Sequence, residues 1–531
     1  MQSRKLWYYA LPVILFAAVC AIQPTLASAE GIDCSRAVES RWYMQDNLGV
    51  GHMMIACGLA YGGHASGGSS EAEAATTPPN VRASNRSCTS SQNCTKSESM
   101  VTGSTKNSGK TIVVNYNDHN INYGGSGLGT FGGLSYSTDS GATFTEIQPP
   151  PFATGHGDNL GDPIVIYNAK LATWFAGDLV GSLTQNSDCT TGSGELGIGL
   201  WTSTDGKTWK TGACPHVGVS DDRESFWVDN SPNSAVYGRM YISWNDFGNN
   251  AALSLVYSDD GTTWKGPVIL ANGSTFIRDV QVTGGKSSGA NSTVFVVGMD
   301  EGGGGNATRQ NLVYISTNGG TSFKQVTMGA RFNPVGDQTC SSEPYFYQVN
   351  PIIRHMGWGE PAVGPNGVIH YVFAGAGTNG DHGDIFYTRS TNNGNTWSKA
   401  VKLNTDKDGP NKTQWMPSLS VNGKGVVTAS WYDRSQATSA CNNVGDPGCN
   451  YNRIGIQSTD NGVTWGSEIT ISSSLVTQPA QDDPDVVSCY AGDYDYNTAI
   501  AGNAYVTWTD GRRKVGGVPV QDVEFAPVPT R

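Results

Sequence analysis

The sequence predicts an all-β chain, a seven-bladed β-propeller preceded by a signal peptide and a small disulfide-tied N-terminal segment. Three observations predict it. One turn pattern, Ser then Asp or Asn, then Gly, then Thr or Ser and an aromatic residue, recurs at 137–144, 203–209, 258–264, 316–323, 390–397 and 458–465. An apolar strand ending in aromatic-x-Asp lies ahead of the turns, as at 113–118, 241–246, 429–433 and 505–510, with looser versions through Trp174, Asp300 and Phe373. The turns are spaced by about 64 residues, the length of one four-stranded blade.

In chain order, Arg4 and Lys5 precede an apolar run at 6–22, and Ala27-Ser28-Ala29 offers small residues for cleavage, so 1–29 reads as a secretory signal. Residues 30–79 read as a small cap and a Gly/Ser/Ala/Thr linker. Residues 80–531 form the propeller. In each recurring turn the Asp or Asn side chain holds the local backbone, Gly takes positive φ, and the aromatic folds back into the core. Seven strands of the aromatic-x-Asp kind but six turns leave one blade incomplete. A propeller closes by joining its chain ends, so 522–526 becomes the third strand of that blade and 80–84 the fourth, which removes an open edge.

Beyond Cys20, ten cysteines remain in an exported chain, and proximity pairs Cys34 with Cys57, Cys88 with Cys94, Cys189 with Cys214 and Cys441 with Cys449, leaving Cys340 for Cys489. No C-x-x-C occurs, and Asn404 to Gly409 resembles a calcium loop without its bidentate Glu. No metal or cofactor is expected. A net charge of −12, with no basic run longer than Arg512-Arg513-Lys514, excludes a nucleic-acid partner. No segment after the signal is long enough to span a membrane; a secreted, extracellular monomer with a glycan partner is expected. Asn-x-Ser/Thr sites stand at Asn85, Asn93, Asn272, Asn291, Asn306 and Asn411.

Strand direction places the recurring turns on one face and the loops entering each first strand on the other, where propellers bind ligands. Those loops carry Arg223, Arg278 and Arg354; Arg434 leaves a second strand on the same side. Converging guanidiniums would hold a sugar carboxylate with paired hydrogen bonds, unless each Arg merely ties its loop to a neighbouring Asp. On the first reading, Arg354→Lys would lose affinity and leave folding intact. Trp227, Trp358 and Trp415 enter at the same face and would stack on sugar rings.

The recurring turns resemble the Asp-box, or bacterial neuraminidase, repeats of the sialidase superfamily from about residue 80 to the C-terminus. The resemblance implies a propeller and an exo-sialidase-like glycoside hydrolase for acidic terminal sugars. It also implies a Tyr nucleophile paired with a carboxylate; by face and residue type that is Tyr494 or Tyr496, beside Asp493 and Asp495, with Glu360 or Glu224 as partner and Asp162 as acid/base. Ser97-Glu98-Ser99-Met100 stands where the family has Phe/Tyr-Arg-Ile-Pro. Two alternatives stay open, a non-catalytic glycan-binding or adhesion module and a uronate-directed lyase, the latter drawing on His119, His156, His355 and His382.

Overall fold

The computed structural model describes residues 31–63, 80–123, 128–272, 276–286 and 292–530. The expected signal peptide, most of the linker and Asn291 lie outside the described residues. Seven main sheets follow one another along the chain, six of four antiparallel strands and the first with a fifth, parallel strand added at its inner edge. Their first strands are Lys96–Gly103, Asp158–Asn168, Asp221–Val228, Ile277–Lys286, Glu360–Val363, Gln414–Val421 and Thr498–Ile500. Each first strand packs against the next, and Thr498–Ile500 packs against both Gln414–Val421 and Lys96–Gly103, so the row returns on itself around a channel.

The seventh sheet is assembled from both ends of the chain. Its strands Thr498–Ile500, Asn503–Asp510 and Asp522–Pro529 are completed by Val81–Arg82, with Val81 opposite Phe525 and Arg82 opposite Glu524. A second join lies beside it, where Asp495–Tyr496 pairs in parallel with Ser99 and Met100 of the first sheet.

The six recurring turns share one set of bonds. The Ser hydroxyl accepts from the Gly N–H at 2.8–2.9 Å in every copy, as from Gly141 to Ser137 and from Gly462 to Ser458. The Asp or Asn side chain accepts from the N–H of the following Thr or Ser. The structure adds a role the pattern did not show, because each turn glycine abuts the preceding sheet. Gly206 lies on Val113, Gly261 on Phe175, Gly320 on Tyr241, Gly394 on Phe295 and Gly462 on Tyr387. Gly141 of the first sheet lies on Phe525 of the seventh, where a Cβ would stand 2.3 Å from the ring. The turns are therefore joints between neighbouring sheets as well as hairpin ends.

All five expected cysteine pairs are present. Cys340–Cys489 ties an insertion containing Gln338–Thr339, Tyr347–Asn350 and Ile353–Arg354 to the loop that leads into the seventh sheet. The N-terminal segment, closed on itself by Cys34–Cys57, lies across the same end of the channel. Its helix Leu48–Ala56 starts at Asn47, whose side chain accepts from Val50 N–H at 2.7 Å. Every residue from Leu48 to Met54 is buried, so the helix is covered on all sides, as its apolar sequence requires. No described helix is long and apolar enough to cross a membrane.

Phe525→Ala should cost about 3–5 kcal/mol, the range for emptying a buried aromatic site, since Phe525 is fully buried against Phe144 and Tyr505. Gly141→Ala should also destabilise, and by less in the Phe525→Ala background than alone. Thermal unfolding of the two single variants and the double variant measures that coupling; additive losses would show that the turn does not bear on the closing strand.

Candidate functional site

Five first strands carry a β-bulge near their start, and a non-glycine residue is left-handed at each: Glu98 (φ 40°), Asp162 (62°), Arg223 (57°), Asp279 (58°) and Met416 (44°). Such conformations cost on the order of 1–3 kcal/mol each. A bulge shifts the in-and-out alternation by one residue, so adjacent charged residues are re-aimed at the same end of the channel.

Three arginines meet there. Arg278 Nη2 donates to Asp46 Oδ1 and to Asp222 Oδ2, each at 2.5 Å, and its Nη1 donates to the Met44 carbonyl. Arg354 donates to Asp493 from Nε (3.1 Å) and Nη2 (2.8 Å), to Glu343 from Nη1, and to the Asp46 carbonyl from Nη2 at 2.6 Å. Arg223 Nη2 donates to Asp279 Oδ1 at 2.9 Å, and its Nε lies 3.7 Å from Asp46 Oδ2. Its guanidinium sits 3.9 Å from the Tyr494 ring centre and 4.5 Å from that of Trp358. All three are at most 2% exposed.

The three guanidiniums face more carboxyls than they can neutralise, and the protonation states divide accordingly. Burial alone would raise Asp46, but Arg278, then Arg223 and Arg354, outweigh it and hold that carboxyl below its ordinary value. Burial pushes Glu98, Asp162, Asp222 and Glu224 well above the usual carboxylate range, and raises Asp279, Glu343 and Asp493.

The expected site residues separate into three groups. Arg223, Arg278 and Arg354 converge, but they bind carboxylates from other sheets and from the N-terminal segment, so neither expectation for them, an open sugar pocket or staples within single loops, describes the arrangement. Arg434 stands apart: it follows a second strand, away from the channel axis, and its Nη1 donates to Asn350. Asp162 and Tyr494 join the cluster, with the Arg223 backbone N–H donating to Asp162 Oδ2 at 3.0 Å and the Tyr494 hydroxyl buried without a hydrogen-bond partner.

Glu360 does not join it. It lines a cavity of about 670 Å³ that opens toward the face of the recurring turns, and Tyr496, which shares that lining, stacks on Tyr494 at 4.8 Å. Glu360 Oε2 accepts from Leu419 N–H at 2.7 Å and from the Ser418 hydroxyl. Burial outweighs those bonds and pushes the carboxyl up to about 8.

The three tryptophans offer no common stacking platform. Trp415 is fully buried between Tyr432 and Tyr451, and Trp358 is buried, with its Nε1 donating to Glu301. Trp227 stacks on Tyr241 and lines the cavity at the opposite face, because it stands near the end of its strand rather than at its entry. The histidines are also engaged. His119 pairs with Asp483 and His156 with Asp188; His355 is buried, accepts from Met416 N–H, and is pushed down to about 3 by burial and Arg223.

The sequence reading missed Asp46 and Glu98. Glu98 accepts from Asn117 Nδ2 (2.7 Å) and from Asp493 N–H (2.8 Å). Aligning the first strands on one another places Glu98 level with Asp162, Arg223 and Asp279, a signal present in the sequence. Nothing local marked Asp46.

Asp46, Asp162 and Asp222 have oxygens within 4.8 Å of one another, but the Arg278 guanidinium already occupies Asp46 and Asp222. In the calcium-like loop, Lys402 Nζ lies 2.7 Å from Asp384 and 2.5 Å from Asp408. A side-chain ammonium stands where a cation would.

No family model matches the chain, and no curated protein does. Solved structures give distant likenesses. A polysaccharide lyase, an ulvan lyase bound to a GlcA(1-4)Rha3S saccharide, is 11% identical with a TM-score of 0.43, over 89% of this chain and 96% of that one. An α-L-arabinanase from Penicillium chrysogenum, complexed with arabinobiose, is 13% identical with a TM-score of 0.39, over 67% and 94%. A Dyadobacter fermentans protein of unknown function is 13% identical with a TM-score of 0.40, over 85% and 98%.

Arg354→Lys should lower the melting temperature, against the expectation from sequence that folding would barely change. Lysine keeps the charge but not the fork, and each charged hydrogen bond lost costs about 1.5–3 kcal/mol. An unchanged melting temperature would show that Lys reaches the same partners. Glu360 makes a separate prediction for pH. Its carboxyl keeps its proton in the folded chain up to about 8, whereas the unfolded chain releases it near the ordinary value of 4.5. The folded chain therefore binds the extra proton between those values, and stability falls as pH rises, by roughly 1.4 kcal/mol per pH unit for one group. Glu360→Gln should remove that slope, so melting curves of the two proteins should diverge from pH 5 to pH 8 in favour of the variant.

Proposed function

We propose that this chain is a secreted, seven-bladed propeller of carbohydrate-active type that recognises acidic sugars at the arginine cluster. One observation carries the reading: three guanidiniums, from two different sheets and an insertion, are directed at one residue, Asp46, whose carboxylate is held ionised in a fully buried place. Directed N–H donors in a site closed to water select a carboxylate by geometry as well as charge. The resemblance of the recurring turns to Asp-boxes supports the same class.

The finer reading is sialidase-type hydrolysis. Tyr494 lies beside the arginines with a free hydroxyl. A neutral Tyr attacking the anomeric carbon avoids repulsion from the sugar's carboxylate; Glu98 stands in the partner's place expected of Glu360, and it takes the Tyr proton only after giving up the one that burial favours on it. Asp162, which burial pushes well above the usual carboxylate range, is suited to protonate the departing oxygen.

Incubating the full-length chain with sialosides and uronate polysaccharides tests this. Released sialic acid would support the hydrolase, and absorbance from a new double bond would mark the lyase. Binding of acidic over neutral glycans without turnover would leave a glycan-binding module. A panel on which acidic glycans are neither bound nor turned over, by the chain or by the Asp46→Ala variant described below, would overturn the reading.

A further inference from the structure

The N-terminal segment contacts each of the three arginines. Its Asp46 carboxylate accepts from Arg278, its Asp46 carbonyl accepts from Arg354, and Asp46 Oδ2 lies against Arg223. The next residue, Asn47, donates from Nδ2 to Asp222 Oδ1 at 2.6 Å and caps the buried helix, so the helix start is fixed at the arginine cluster. Glycines let the segment settle closely: a Cβ on Gly49 would stand 2.7 Å from Leu160, and one on Gly62 would stand 2.1 Å from the Pro484 carbonyl.

Two features distinguish this contact from an ordinary core interaction. First, no disulfide joins the segment to the sheets; its one bridge, Cys34–Cys57, is internal. It is a self-contained unit held by docking alone. Second, the fit at the arginines is incomplete. Asp46 Oδ2, Arg223 Nε and Arg278 Nε are all buried without a hydrogen-bond partner. Buried donors and acceptors left open in this way require an explanation. Asp46 uses only part of the donor set that faces it, and a carboxylate on a differently shaped carrier would reach the rest.

We propose that residues 31–63 are an internal ligand that keeps the arginine pocket closed, with Asp46 occupying the place of the carboxylate of an acidic sugar. The proposal rests on the carbohydrate reading only for the identity of the outside ligand; that the pocket takes a free carboxylate follows from the geometry alone. The tethered carboxylate competes at an effective concentration on the order of millimolar or above. A free sugar acid that binds weakly is therefore excluded from the intact chain.

The test uses the full-length chain and Asp46→Ala, with Asp46→Asn as the isosteric second variant should the alanine protein fail to fold. Melting temperatures are measured with acetate, glucuronate and N-acetylneuraminate, with chloride at matched ionic strength and with neutral glucose. The variant should melt below the parent and be raised saturably by the carboxylates, whereas chloride and glucose leave it unmoved and the parent responds to none of them. Its affinity for N-acetylneuraminate or glucuronate should exceed the parent's at least 10-fold. Carboxylates that move neither protein, or both equally, overturn the proposal. Rescue by acetate with no affinity for either sugar acid upholds the pocket and tells against the carbohydrate reading. Equal sugar-acid affinity in parent and variant overturns self-closure while that reading stands.

Discussion

The pairing of Val81–Arg82 with Glu524–Phe525 is the constraint on which the arrangement hangs. Without it the seventh sheet ends at Asp522–Pro529 with an unpaired edge, and Phe525, which receives the first sheet's turn at Gly141, loses part of its support. Each of the other turns bears on the sheet before it in the same way. A row of sheets held by such joints stays in register only when the last joint is made. The place where a seventh turn would fall is the place where the two chain ends meet, so pairing between strands does there what a glycine turn does elsewhere.

The arginine cluster depends on that closure. Arg223 and Arg278 come from adjacent sheets, Arg354 from the insertion, and Asp493 from the loop entering the seventh sheet, which Cys340–Cys489 fastens to the insertion. Burying this much charge is unfavourable unless each ion finds a partner. The structure meets the condition in two ways. The guanidiniums are paired, and burial pushes surplus carboxyls such as Asp162 and Glu224 well above the usual carboxylate range, toward their uncharged form. Asp46 remains ionised because it alone lies within reach of all three arginines.

What the sequence revealed follows from what local pattern encodes. The recurring turns and four of the cysteine pairs could be read because each is short-range: a hydroxyl two residues from a carboxylate, a glycine at a positive-φ corner, a disulfide partner close in the chain; Cys340–Cys489, 149 residues apart, followed only as the remaining pair. The closing strand could be read by counting strands against turns. The height of a residue along the channel could not. Alternation of period two says which side of a sheet a side chain takes, but a bulge such as those at Arg223 and Asp279 shifts the alternation, and strand length decides whether Trp227 lies at one mouth or the other. Glu360 and Tyr494 were paired from residue type and face, yet Glu360 lines the open cavity and Tyr494 the arginine cluster, with Tyr496 stacked on Tyr494 and lining the cavity. Asp46 was invisible for a different reason: its meaning comes wholly from residues more than 170 positions away.

The two mouths of the channel are therefore unlike in kind. The one on the face of the recurring turns is open, a cavity of about 670 Å³ with Glu360 and Tyr496 among its walls. The other is filled by a disulfide-closed segment whose helix is buried on every side. Burying one large apolar side chain contributes about 1.5–3 kcal/mol, and Leu48, Val50, Met53 and Met54 of the segment are all buried against the sheets. The arginines, sealed beneath it, gain strength from the exclusion of water, since a charged hydrogen bond between desolvated partners is stronger than one facing solvent. The segment that seals the arginines from water also fixes their geometry, since Asp46 meets Arg278 through its carboxylate, Arg354 through its carbonyl and Arg223 at 3.7 Å.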